Sequence, residues 1–189
     1  MKGLRSCRRK RTQRAGFSLI EVVVALAVAS IGVMGFSQAL LGSIVLGQVN
    51  HQSSVARRAT SDVLEDMNSV PFTEIFARYN ATAVDDLAAG THLLGAFPVE
   101  GLDPVNGDAD GLVGEIVFPT VAVVGGRLEL REDAAQGGLG MPKDLNIDGL
   151  IDGLDHAVDY KLLPVLVRVR WRGVKGPALI EFKTTLVEL

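Results

Sequence analysis

One side chain can carry charge in the apolar run "GFSLIEVVVALAVASIG", and it is Glu21. From Phe17 to Val49 it is the sole ionisable group, in a segment longer than the about 20 apolar residues that cross a bilayer as a helix. A carboxylate near the centre of such a helix costs about 2.5–3.5 kcal/mol, so this one calls for a compensating cation. Hydrolysis of the Gly16–Phe17 bond would supply it, by creating an amine at the start of the helix. Glu21 lies four residues on, on the same helical face, where the helix N-terminus itself favours an anion. The amine could come from the same chain or from a neighbouring one. In the second case the acid would set the register of an assembly.

Two simpler readings compete. Ala27-Val28-Ala29 ahead of Ser30 has the form of an A-x-A signal-peptidase site, yet the apolar run continues well past it. An uncleaved signal anchor explains the length and leaves the acid unexplained. Charge placement favours a single-pass protein in either case. Residues 1–16 carry seven basic side chains (Lys2, Arg5, Arg8, Arg9, Lys10, Arg11, Arg14) and no acid. Taking those seven from the nineteen basic residues of the chain leaves twelve against twenty-two acidic. A basic tip and an acidic body place the tip in the cytoplasm and the body outside.

Leader, junction, acid and apolar run together resemble the N-terminal cleavage and methylation motif of type IV prepilins and pseudopilins. The family pattern is a short basic leader ending in Gly, then Phe, then Glu at the fifth mature position; here these are Gly16, Phe17 and Glu21. The resemblance implies that a prepilin peptidase cuts after Gly16, that the Phe17 amine is methylated, and that other pilin subunits are partners through the N-terminal helix. It also implies residence in the inner (cytoplasmic) membrane before entry into a pilus or pseudopilus. The chain departs from many major pilins in having Gln38 where they carry a proline, with no proline before Pro71. The start Phe17-Ser18-Leu19-Ile20-Glu21-Val22-Val23-Val24-Ala25 is most similar to type IV pilus modification proteins and to type II secretion protein I.

The elements that must hold these residues can be read from periodicity. Val49, Val55, Ala56, Ala59, Val63, Leu64, Met67 and Val70 fall on one helical stripe, with Arg57, Arg58, Asp62, Glu65 and Asp66 on the wetter side. Pro71 should end that helix. "GEIVFPTVAVVGGRLELRE" reads as strand, Gly125-Gly126 turn, strand, and "LPVLVRVRWRGVKGPALIEFKTTLVEL" as a hairpin. In the latter, Val165, Val167, Val169 and Trp171 share one face, opposite Arg168, Arg170 and Arg172, and the partner strand puts Ile180, Phe182 and Leu186 on one side and Glu181 and Lys183 on the other. Residues 72–114 are poorly patterned and read as a loop-rich connector. The expected class is α+β, with a long helix packed on a small antiparallel sheet. The expected domains are a cleaved leader (1–16), a helix (17–70, transmembrane to about 49) and a β-rich head (71–189).

A second cluster offers metal chemistry. "DLNIDGLIDGLD", residues 144–155, follows the twelve-residue calcium-loop pattern. Asp144, Asn146, Asp148, the Leu150 carbonyl, Asp152 and Asp155 stand at the ligand positions, and Gly149 at the sharp turn. Asp155 replaces the usual Glu, as in dockerin-type loops, which leaves a secreted or membrane-anchored calcium-binding module as the alternative reading. "HAVDYKLLP" after it could form a short helix. "NGDADGLVGE", with Asn106, Asp108 and Asp110, is a weaker version without the twelfth acid. An Asp/Gly turn cluster explains both equally simply.

Calcium is therefore the one cofactor for which the sequence offers ligands. Cys7 is the sole cysteine, so no disulfide can form within these residues. His51, His92 and His156 stand apart, with no HExxH motif, and no nucleophile or phosphate-binding motif occurs in its required setting. An enzyme is not expected. The acidic body and the lack of aromatics among the arginines argue against direct nucleic-acid binding.

Overall fold

The computed structural model describes Gly16, residues 18–81 and residues 95–188. Phe17, Cys7, His92 and most of the leader lie outside the described residues. The chain divides into two compact units, one ending at Ile44 and one beginning at Val45. A single helix, α1 (Leu19–Ser69), crosses that boundary.

In the first unit α1 has no buried face. Its large apolar side chains from Leu19 to Ile44 are exposed, and a stretch of α1 is long and apolar enough to span a membrane. Its serines do not interrupt that surface. The hydroxyls of Ser30 and Ser37 donate back to the carbonyls of Leu26 and Val33, each at 2.8 Å, which satisfies them without water.

In the second unit α1 acquires a core face. Ala56, Thr60, Val63 and Met67 are buried at the i, i+4, i+7, i+11 spacing of one stripe, flanked by half-buried Val55, Ala59, Leu64 and Val70. Thr60 fits on this stripe because its hydroxyl donates to the Ala56 carbonyl at 2.9 Å. Arg57, Arg58, Asp62, Glu65 and Asp66 are exposed.

Pro71 then redirects the chain into a second helix, α2 (Phe72–Tyr79). The connector expected over residues 72–114 is thus partly helical. Eight residues were too few for a period to declare itself, and the start signal is Pro71 itself. α2 buries Ile75, Phe76 and Tyr79. Tyr160 fastens it from the far side of the sequence: its hydroxyl donates to the Phe72 carbonyl and accepts from the Phe76 amide.

The main sheet is antiparallel, in the order β1 (Ala96–Phe97), β2 (Gly114–Val117), β5 (Leu162–Gly173), β6 (Gly176–Val187). A separate pair joins β3 (Thr120–Ala122) to β4 (Leu128–Leu130). The run read as strand, turn, strand therefore splits at Phe118-Pro119. Proline has no N–H for a ladder, so Gly114–Val117 joins the main sheet and only Thr120–Leu130 forms the Gly-Gly hairpin.

The hairpin read from the sequence forms as β5–β6, although Phe182 stays exposed. Val167 lies opposite Phe182, Val169 opposite Ile180 and Leu163 opposite Leu186. Leu163, Val165, Val167, Val169 and Trp171 join the α1 stripe in one core. Trp171 donates its Nε1–H to Gln52 Oε1 on α1 at 3.4 Å. Gly114 is required at its position, because a Cβ there would lie 2.3 Å from the ring of Phe97, its cross-strand partner.

Candidate functional site

Glu21 sits in the first turn of α1, exposed. That turn closes on Ser18, whose carbonyl accepts from the amides of Glu21 at 3.0 Å and Val22 at 3.2 Å. Gly16 is also exposed. The carboxylate thus stands near the end of the helix where unpaired backbone N–H groups concentrate positive potential.

In the second unit the Asp-rich loop is laced by its own side chains. The Asp144 carboxylate accepts from the amides of Ile147 at 2.6 Å and Gly149 at 2.8 Å. Asn146 Oδ1 accepts from Asp148 N at 3.0 Å, and Asp148 Oδ1 from Leu150 N at 2.8 Å. These turns require left-handed backbone at Ile147 (φ 63°) and Gly149 (φ 90°). Glycine supplies the second without strain. The last two acids point elsewhere. Asp155 pairs with Arg127 at 2.8 Å and accepts from the amides of Leu130 and Ala157, which ties it to β4. Asp152 turns to His156, with Oδ1 3.1 Å from Nε2.

Among the described residues, that imidazole belongs to the one group of three His, Cys, Asp or Glu side chains whose ligand atoms lie within 4.8 Å of one another: Glu132, Asp152 and His156. His156 does not stand alone, contrary to the sequence expectation. It is 3% exposed and Glu132 is 1% exposed. Its Nδ1 is 3.1 Å from Asp159 Oδ1, and its Nε2 is 3.8 Å from Glu132 Oε2. Glu132 is held by backbone: Oε1 accepts from Leu145 N at 2.6 Å and Asn146 N at 3.3 Å, and Oε2 from Asp152 N at 3.1 Å.

Burial pulls the His156 pKa down, but the bonds to Asp152 and Asp159 and the charge of Glu132 push it up further, and the balance lies above the ordinary value. The Asp152 carboxyl is held below its usual range, first by the Leu154 amide and then by His156. No motif in the sequence singles out Glu132, which lies in a turn two residues past the end of β4. "HAVDY" forms a single turn, with the Tyr160 amide bonded to the His156 carbonyl at 3.2 Å, and not the short helix expected.

The arginine ladder of β5 is paired along its length. Arg168 meets Glu181 at 2.9 Å and Glu115 at 3.1 Å. Arg170 meets Asp108 at 3.6 Å, and Arg172 meets Asp103 at 3.2 Å and Asn106 at 3.4 Å. The Asn106 and Asp108 side chains of the weaker Asp/Gly run are thus turned to arginine, Asn106 as a hydrogen-bond acceptor and Asp108 as an ion-pair partner. Asp110 accepts instead from the Leu112 amide, which holds its carboxyl below the usual range.

Residues 11–37 match the family model of the prokaryotic N-terminal methylation motif. No curated protein and no solved structure matches the chain. The matched segment contains the leader's end, Glu21 and the first part of the uncovered apolar stretch of α1, and the head that follows is a helix packed on an antiparallel sheet. Residues 11–37 thus carry the N-terminal methylation motif that type IV prepilins share, and the long helix on a small antiparallel sheet that follows is a pilin-like arrangement.

Proposed function

We propose that the protein is a minor pilin or pseudopilin. Prepilin peptidase cuts after Gly16 and the Phe17 amine is methylated. The apolar part of α1 holds the subunit in the inner membrane, with the head outside the cytoplasm. The subunit then enters a type IV pilus or type II secretion pseudopilus through that helix. Similarity of residues 17–25 to type IV pilus modification proteins and to type II secretion protein I favours those branches.

The observation that carries this reading is the pairing of an exposed acid in the first turn with a helix whose large apolar side chains stay uncovered to Ile44. Such a surface needs lipid or other helices. Moving from lipid to a bundle of like helices keeps the apolar contacts and gives the acid an amine to pair with, so the cost of a charge in lipid becomes a driving force for extraction. N-terminal mass analysis of the mature protein tests the processing step. Methylated Phe17 is the expected terminus; a terminus at Ser30 would instead mean ordinary secretion.

A further inference from the structure

We infer that Glu132, Asp152 and His156 form a binding site for a divalent transition cation of the zinc class, which staples the Asp-rich loop to the head. This goes beyond the assembly reading and does not depend on it.

Three independent features carry the inference. The first is donor spacing. Four ligands about 2.1 Å from a tetrahedral zinc stand about 3.4 Å apart. The His156 Nε2 separations, 3.1 Å to Asp152 Oδ1 and 3.8 Å to Glu132 Oε2, bracket that edge. The second is orientation. A ligating imidazole usually has its far nitrogen hydrogen-bonded to a carboxylate, which fixes the tautomer. Asp159 stands at 3.1 Å from Nδ1 and would accept that N–H, leaving Nε2 free to bind metal.

The third is charge. Glu132 is a buried carboxylate whose one ion-pair neighbour among the described residues is His156. A buried charge is costly unless it is paired. A divalent cation would displace the proton that these acids favour on His156 and balance both carboxylates. Lone pairs remain for it, since Glu132 Oε2 accepts only from the Asp152 amide among the described residues. Two carboxylates and an imidazole favour zinc-like ions over calcium, which prefers six to eight oxygens.

The ligands come from the chain just after β4 (Glu132) and from the 152–156 turn, so one ion would cross-link segments that no disulfide joins. Asp152, half-buried, gives the site its solvent side.

The test uses the full-length protein in detergent, stripped of metal and carrying no histidine tag, titrated with Co2+ as a spectroscopic probe and with Zn2+. One equivalent of Co2+ should give tetrahedral visible absorption, which Zn2+ abolishes, and Zn2+ should raise the melting temperature by several degrees. Asp152→Asn, at the solvent edge, should lower affinity at least tenfold with the fold kept, as checked by circular dichroism. His156→Asn should abolish the signal, and replacing His51 and His92 together should leave it intact. Absence of a stoichiometric Co2+ band would overturn the assignment, as would a band that survives Asp152→Asn unweakened or disappears with His51 and His92.

Discussion

Tyr79 donates its hydroxyl to Asp66 at 2.8 Å, joining α2 to α1 thirteen residues earlier. The bond crosses the bend at Pro71 and fixes the angle at which the chain leaves the long helix. Burial, followed by the hydrogen bond to Asp66, pushes the Tyr79 phenol above its ordinary value. Burial does the same to Tyr160. These are the only two tyrosines in the chain. A phenol that holds its proton more tightly when folded supports the fold fully below its ordinary value near 10 and loses that support as pH rises through the folded value. The folded protein should therefore show less tyrosinate absorbance than denatured protein at each pH above about 10. Superimposable titration curves would contradict this. Tyr79→Phe should cost about 0.5–1.5 kcal/mol in chemical denaturation, because it removes one hydrogen bond to a carboxylate that stays exposed to water.

Gly114 and Phe97 should behave as a unit. Alanine at 114 forces the buried Phe97 ring off its place, at about 1–3 kcal/mol. In a double-mutant cycle, Gly114→Ala should cost much less in a Phe97→Ala background. Additive effects would mean that the ring does not cover the glycine.

The two parts of α1 should respond differently to truncation. Met67 is fully buried in the head core, so Met67→Ala should destabilise the head by about 2–5 kcal/mol. Leu41→Ala, on the uncovered part of the helix, should leave head unfolding in detergent unchanged. Equal effects would contradict a core confined to the later stripe.

What the sequence revealed depended on whether an element buries one face. The α1 stripe and the β5–β6 hairpin do so, and their periods of 3.6 and 2 survive in the residues. The break at Pro119 was concealed because only Pro119 and Thr120 separate Ile116, Val117 and Phe118 from Val121 and Ala122, although the two halves serve different sheets. The Glu132–His156 group is assembled from separate turns, and its spacing along the chain resembles no compact metal motif. The acids that answer the arginine ladder were hidden for a similar reason. Asp103 and Asp108 are about sixty residues from the strand they face, and only the folded loop brings them there.

Glu21 offers the most direct test of the account. Glu21→Val should still be inserted and cut after Gly16, since the junction itself is unchanged, but its recovery in sheared fibres, or in pseudopili, should fall at least tenfold relative to the unaltered chain at equal membrane abundance. Glu21→Gln should fall similarly, because it keeps the shape and removes the charge. If either variant is processed and enters fibres at the normal level, the acid is not the partner of a terminal amine, and the proposed basis of assembly is wrong.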